Sequence, residues 1–258
     1  ATGNTLFGYQ AGTAITSGNK NTCIGAYTGL TITTGEYNVC MGYEAGDTIT
    51  TGSTNIAIGM YSIGYGACTG SENIGIGKSS VKKLTSGGNN IALGEEAGAE
   101  ITTGSYNIAI GKLAGWYIQT SDHNIAIGEN TIAGSSSFSG SYNTALSKSA
   151  LHKLTSGSEN LGFGYEAGYN VTTGSYNVLL GHSAGDSITT GSNNIVIGKD
   201  AAASSATVSN QITFGDTNIT KFRIPGINFV LKDNGQTPSS GQVLTADGSG
   251  DGYWAAVS

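Results

Sequence analysis

Asn107-Ile-Ala-Ile-Gly-Lys-Leu-Ala-Gly-Trp-Tyr-Ile-Gln-Thr-Ser-Asp-His123 is followed at once by Asn124-Ile-Ala-Ile-Gly-Glu-Asn-Thr-Ile-Ala-Gly-Ser-Ser-Ser-Phe-Ser-Gly-Ser-Tyr142, one unit stated twice. An Asn opens the unit, two large apolar residues flank a small one, a Gly closes the run, and a Thr- and Gly-containing turn leads to the next Asn. Worked outward in both directions, the same unit starts at Asn4, Asn21, Asn38, Asn55, Asn73, Asn90, Asn107, Asn124, Asn143, Asn160, Asn177 and Asn194, with Gln211 opening a degenerate thirteenth copy. The spacing is seventeen residues, except eighteen after Asn55 and nineteen after Asn124. A short fixed period predicts a quasi-one-dimensional stack in which each unit is stable only against its neighbours. Seventeen residues are too few for a helix pair and suit one coil of a β-solenoid.

The run after each Asn is four residues long, rich in β-branched types and bounded by Asn and Gly, which reads as a short strand. A second short strand is expected at Thr31-Ile-Thr-Thr, Thr48-Ile-Thr-Thr and Asn170-Val-Thr-Thr. The expected fold is therefore all-β: a parallel β-solenoid, β-roll or β-helix, of about 13 coils over residues 1–215, making a shaft roughly 60 Å long. Residues 216–258 form a separate β-rich tail. Both prolines, Pro225 and Pro238, fall there, and Phe222-x-Ile224 and Ile227-x-Phe229-x-Leu231 read as alternating strands about a Pro225-Gly226 bend.

Within the strand, the second and fourth residues of the unit share one face and the third takes the other. The fourth is always large, from Phe7 through Ile110 to Phe214, and is expected to fill the coil interior. The third is then outward and never charged, and its small members Ala57, Ala92, Ala109, Ala126 and Ala145 are the expected oligomer interface. On that reading Ala109→Arg breaks the oligomer. Stacking also predicts a charge ladder, because the residue after the strand-closing Gly runs Lys78, Glu95, Lys112, Glu129, Lys148 in successive coils. The Asn column is expected to hydrogen-bond up and down the stack through its side-chain amides. Cys23 and Cys40 share the third position in consecutive coils and read as free packed thiols.

Composition narrows function. Only 11% of residues are charged and the net charge is −6, which gives no electrostatic reason to bind nucleic acid or an anionic membrane surface. No apolar run is long enough to span a bilayer as a helix, and no signal peptide is evident. The absence of an initial Met points to a processed or incomplete N-terminus. Ile76-Gly-Lys-Ser lacks the first Gly of a phosphate-binding loop, and its Gly-Lys belongs to the repeat. His123, His152 and His182 occupy different positions of the unit, so no metal or nucleophilic site is expected. Glu44, Glu96, Glu129 and Glu166 are not placed as the paired acids of a glycosidase. Asp247 and Asp251 read as a plain turn rather than a calcium loop. A non-enzymatic protein without cofactor is the expectation.

Surface aromatics are the best binding clue. Tyr37, Tyr106, Tyr142 and Tyr176 immediately precede an Asn, and Trp116-Tyr117 occupies a turn; exposed rings of this kind stack on sugars. Thr31/Thr33 and Thr48/Thr50 also fit a Thr-x-Thr ice-binding array, but Lys83, Glu100, Tyr117 and Lys153 interrupt it.

The Asn-Ile-Ala-Ile-Gly units resemble the head-domain repeats of trimeric autotransporter adhesins, β-rolls assembled from three chains, although those repeats are shorter than seventeen. The tail Gly241-Gln-Val-Leu-Thr-Ala-Asp-Gly-Ser-Gly-Asp-Gly-Tyr-Trp254 resembles a segment found near the C-terminal ends of bacteriophage tail fibres, where a self-cleaving trimerisation chaperone often follows. The resemblance implies a homotrimer located extracellularly or on a virion surface. The expected function is a structural, tail-fibre-like shaft that contacts host cell-surface glycans. A bacterial surface adhesin passenger and an ice-binding β-solenoid are the alternatives.

Overall fold

A computed structural model of the chain describes residues 1–221 apart from Ser135 and Ser137, together with the backbone of residues 242–246 and 252–256. Residues 1–218 form one compact unit and residues 219–258 a second. The first is a parallel β-solenoid. Thirteen strands of three residues each, from β1 (Thr5–Phe7) to β13 (Ile212–Phe214), form one sheet in strict sequence order, and no helix occurs among the described residues. In the second unit β14 (Gln242–Ala246) and β15 (Gly252–Ala256) pair antiparallel, with Leu244 opposite Trp254. The two alternating strands expected about Pro225-Gly226 and the Asp247/Asp251 turn lie outside the described residues.

The register is that of like positions stacked. Ile108 pairs with Ile125, Ala109 with Ala126 and Ile110 with Ile127. The longer coils do not shift it: Ile56 pairs with Ile74 across the eighteen-residue coil, and Ile125 with Thr144 across the nineteen-residue one. Their extra residues are taken up in the turns, where Cys68 and Phe138 still reach buried positions. The expected second strand does not form as a regular element. Around Ile32, Ile49 and Ile101 the chain bends, and only Ile49 and Cys68 make an isolated bridge, although amides such as Thr33 N still donate to the next coil, here to Thr50 O at 2.9 Å.

Which face of the strand is inside is the reverse of the expectation. The third residue of the unit is fully buried in the single chain at Cys23, Cys40, Ala57, Ala92, Ala109, Ala126 and Ala145, so these side chains line the coil interior and form no outward stripe. The second and fourth residues, such as Ile108 and Ile110, are half-exposed, and Met41, Ile76 and Phe163 are exposed. The reason is thickness. The opposite wall already contributes a column of fully buried Ile32, Ile49, Leu84, Ile101, Ile118, Leu154, Val171 and Ile188, and a third wall contributes Ala45, Ala97, Ala114 and Ala167. A seventeen-residue coil has room for one large residue across its section, so the facing position must be small.

Volume is traded locally. Gly75 stands where an added Cβ would lie 2.8 Å from Val81 Cγ2, and Gly162 where one would lie 2.9 Å from Leu151 Cγ. Leu179, large at the third position, packs against Gly168 and Gly185, members of the same Gly column that faces Ala109 at Gly115. Cys23 and Cys40 are adjacent in register and, like Cys68, remain free thiols; burial pushes the Cys68 thiol up to about 11.

Two devices hold coil to coil, one polar and one steric. From Asn21 to Asn194 each Asn of the row is buried and fully engaged: Asn107 donates its backbone N–H and Nδ2 to Asn90 Oδ1 at 3.0 and 3.1 Å, and Nδ2 also reaches Ser121 O at 2.8 Å, closing its own coil. Asn124 repeats the arrangement on Asn107 Oδ1, so an amide row, buried from Asn21 on, runs from Asn4 to Asn194 with no vacant acceptor between. The strand-closing Gly is the second device. Gly111 has φ +125°, and a Cβ there would lie 2.8 Å from the carbonyl carbon of Gly128 in the next coil. Ser147 is the exception in that column, with φ 103°.

Candidate functional site

The residue just before each Asn forms a surface column with one backbone conformation. From Lys20 through Tyr37, Tyr106, His123, Tyr142, Glu159 and Tyr176 to Asn210 its φ lies between 56° and 63°. The left-handed region is unfavourable for any side-chain-bearing residue, most of all a bulky one, and Gly is the default occupant. Yet in a chain with 42 Gly, Gly takes this position only at Gly3. Side chains are therefore kept on the column at a conformational cost, as they also are two residues after the strand-closing Gly, from Gln10 through Leu113 to Asp200.

The column is stacked along the shaft. Tyr106 and His123 rings lie 4.9 Å apart at 15°, and His123 and Tyr142 lie 4.7 Å apart at 11°. Tyr37 is capped from the preceding coil by Lys20, whose Nζ stands 4.8 Å from the ring centroid and donates to the phenol oxygen at 3.0 Å. All four tyrosines are at least half exposed. Trp116 and Tyr117 differ. Their rings stack on each other at 5.1 Å, both are half-buried, and Trp116 Nε1 is buried without a hydrogen-bond partner. They sit with the packing of the turn rather than with the exposed column.

Beside Tyr142 the surface opens into a cleft of about 450 Å³ lined by Tyr142, Thr144, Glu159, Asn160 and Leu161. Asn160 is committed to the buried amide row. The Tyr142 phenol, Thr144 hydroxyl and Glu159 carboxylate have no hydrogen-bond or ionic partner among the described residues. The position of Tyr142 and Tyr176 before an Asn was visible in the sequence. Glu159 and His123 were overlooked although they occupy the same position; reading the column vertically as Tyr106, His123, Tyr142, Glu159, Tyr176 would have found them.

The charged column lies on another edge. Lys112 Nζ is 3.1 Å and Lys78 Nζ 3.8 Å from the Glu95 carboxylate, and Lys148 Nζ is 3.2 Å from Glu129, while Lys112 and Glu129 make no ion pair. Lys112 above all holds the Glu95 carboxyl below its ordinary range. In coils nearer the N-terminus that edge carries a tyrosine run instead, Tyr9, Tyr27, Tyr43 and Tyr61, in edge-to-face contact at 5.3 to 5.9 Å. The next turn holds the most perturbed acid, Asp47: burial and, secondly, the Glu44 charge push it up to about 7, and its Oδ1 is buried without a partner. The Thr hydroxyls are turned into the stack, Thr31 Oγ1 donating to Asp47 O at 2.6 Å and Thr33 Oγ1 to Thr50 O at 3.1 Å.

His123 and His152 stack against tyrosines, His182 lies tilted at 30° beside Tyr165, and no cluster of potential metal ligands occurs among the described residues. No helix among them is long and apolar enough to cross a membrane. Comparison of the chain with protein-family models, with curated proteins and with solved structures returns no match.

Proposed function

We propose that the chain is a non-enzymatic structural protein, the shaft of a homotrimeric fibre at a virion or other extracellular surface, with host glycans met by its exposed aromatic column. The observation that carries the reading is the outer face of the sheet. Its two columns, the second and fourth residues of every unit, hold no charge in thirteen coils, and Thr5, Thr22 and Thr144 are their only polar members. At about 4.8 Å per strand and two side chains wide, this face offers roughly 600 Å² of mostly apolar surface. That is at the upper end of what a lone monomer exposes, about 300–600 Å², and close to the roughly 800 Å² per partner of a standard interface once flanking residues join. A second copy of the chain is the occupant that matches it, because the repeat offers the same spacing on both sides, and it covers the face in part, leaving open the cleft that Thr144 and Leu161 line beside Tyr142.

Three copies, rather than two, follow from the resemblance of the repeat to trimeric adhesin heads and of the tail to phage fibres. The stack supplies axial stiffness through the buried Asn row, and association of apolar faces supplies lateral strength. Sedimentation equilibrium of the purified chain and of Ile110→Arg tests the reading. The parent is expected as a trimer. The variant, whose long charged side chain points outward, is expected to dissociate while keeping its β-sheet circular dichroism. A monomeric parent overturns the fibre reading.

A further inference from the structure

We infer that the cleft lined by Tyr142 and Glu159 is a binding site for an amino sugar, a pyranose carrying a free ammonium group. The inference deepens the glycan-contact part of the proposed function and rests on it.

The argument starts from the order of the column. One face of Tyr142 is covered by His123. The next coil brings Glu159, which ends the run of stacked rings, and the coil after brings Tyr176. Glu159 is the only acid of the column that lies between two tyrosines; Glu72, the other acid, has Thr54 and Asn89 as neighbours. Its carboxylate is exposed, and no lysine, arginine or histidine pairs with it among the described residues. An anion set between two electron-rich rings is a receptor for a cation.

The spacing fits. Residues two coils apart along a stack are separated by about 9.6 Å, so a cation at the level of Glu159 stands about 4.8 Å from each ring. The chain already shows this contact with its own ammonium: Lys20 Nζ is 4.8 Å from the Tyr37 centroid, one coil away in the same column. At Glu159 the column supplies the rings and the counter-charge but no ammonium.

A bare cation leaves the rest of the cleft unused. Thr144 is the one polar residue in its strand column between Val39 and Ile212, and it lines the cleft with its hydroxyl unengaged. The Tyr142 phenol is likewise free. The uncovered face of Tyr142 and the Leu161 side chain offer apolar surface to the C–H face of a sugar ring, and the two hydroxyls offer partners to its hydroxyl groups. The volume of about 450 Å³ holds one or two pyranose rings.

Calorimetric titration of the full chain with a tetramer of β-linked glucosamine, and separately with its N-acetylated counterpart, tests the site at a pH where the free amines are charged. Saturable binding of the amine form, at least tenfold weaker for the acetylated form and for Glu159→Gln, and lost in Tyr142→Ala, is expected. Tyr37→Ala, in the same column but remote from the cleft, is expected to bind as the parent does. Thermal melts of each variant confirm that it is folded. Equal binding of both sugars, or undiminished binding by Glu159→Gln, overturns the ammonium assignment and leaves the glycan reading standing. Failure of both sugars to bind overturns the site, and tighter binding of a lysine hexapeptide than of the sugar overturns its assignment to carbohydrate. Sedimentation of the same samples reports self-association separately.

Discussion

Ala109 and Ile110 are neighbours on one strand, and the smaller of the two is the one that is buried. The ordinary rule places large apolar side chains inside and small ones wherever they fit. Here the inner face of the sheet is a column of Ala, Cys and Gly with occasional Val or Leu, and the outer face a double column of Ile, Leu, Val and Phe. The difference shows that burial is set by the room a coil encloses. Once Ile118 and Ala114 are fixed on the opposing walls, a Cβ added at Gly115 would already meet Ile118 Cδ1 at 2.9 Å and Ala109 Cβ at 3.3 Å. The apolar surplus is carried on the outside, where the chain itself cannot cover it.

Exchanging the two neighbours breaks the comparison most sharply. Ala109→Arg puts a charge into a filled, dry interior and is expected to abolish folding, at a cost above roughly 4 kcal/mol, seen as loss of soluble protein and of the β-sheet signal. Ile110→Arg is expected to spare the fold and lose the oligomer. If Ala109→Arg folds and merely dissociates, the assignment of the faces is wrong. Asn107→Ala asks whether the polar row matters as much as the apolar one. It strips a donor from Ser121 O and an acceptor from the Asn124 amide, both buried, and is expected to cost about 2–4 kcal/mol in denaturant unfolding.

Ser147→Gly goes the other way. Relief of the positive φ is expected to stabilise by about 1 kcal/mol, raising the melting temperature. The pH-dependent effect is at Asp47. Its folded-state pKa of about 7 is above the usual Asp value, so the folded chain holds a proton that the unfolded chain has lost, and stability falls as pH rises toward and through 7. Asp47→Asn is therefore expected to match the parent near pH 4 and to melt higher than it at pH 8.

Much of the fold was legible because the period fixes register without any knowledge of side-chain direction. The Asn starts, the strand bounds and the tolerance of the two long coils all follow from counting residues between like positions. Facing was not legible from the strand alone, since both faces are apolar and alternation carries no sign. The signal lay across the coil, in the fact that Ile101 and Ile118 recur opposite, at a fixed distance from the Asn, and compete for the same interior. The Thr-rich segments looked like strands by composition, but Thr33-Thr34 and Thr102-Thr103 lie in bends. The cleft at Glu159 was hidden for a different reason: a column in a solenoid is read every seventeenth residue, and the eye follows neighbours.

The amide row has a direction. From Asn21 on, every Asn gives its backbone hydrogen and one side-chain hydrogen to the coil before it and offers its oxygen to the coil after it, so the row repeats in one sense along the axis. Such a stack is electrically polar. Each amide points hydrogens toward the preceding coil and an oxygen toward the following one, as a helix does with its backbone, but through side chains. Two such stacks can meet end to end only in the same sense, since a reversed junction would set like poles together. A filament built from them would inherit a one-way orientation from the chemistry of a single residue type.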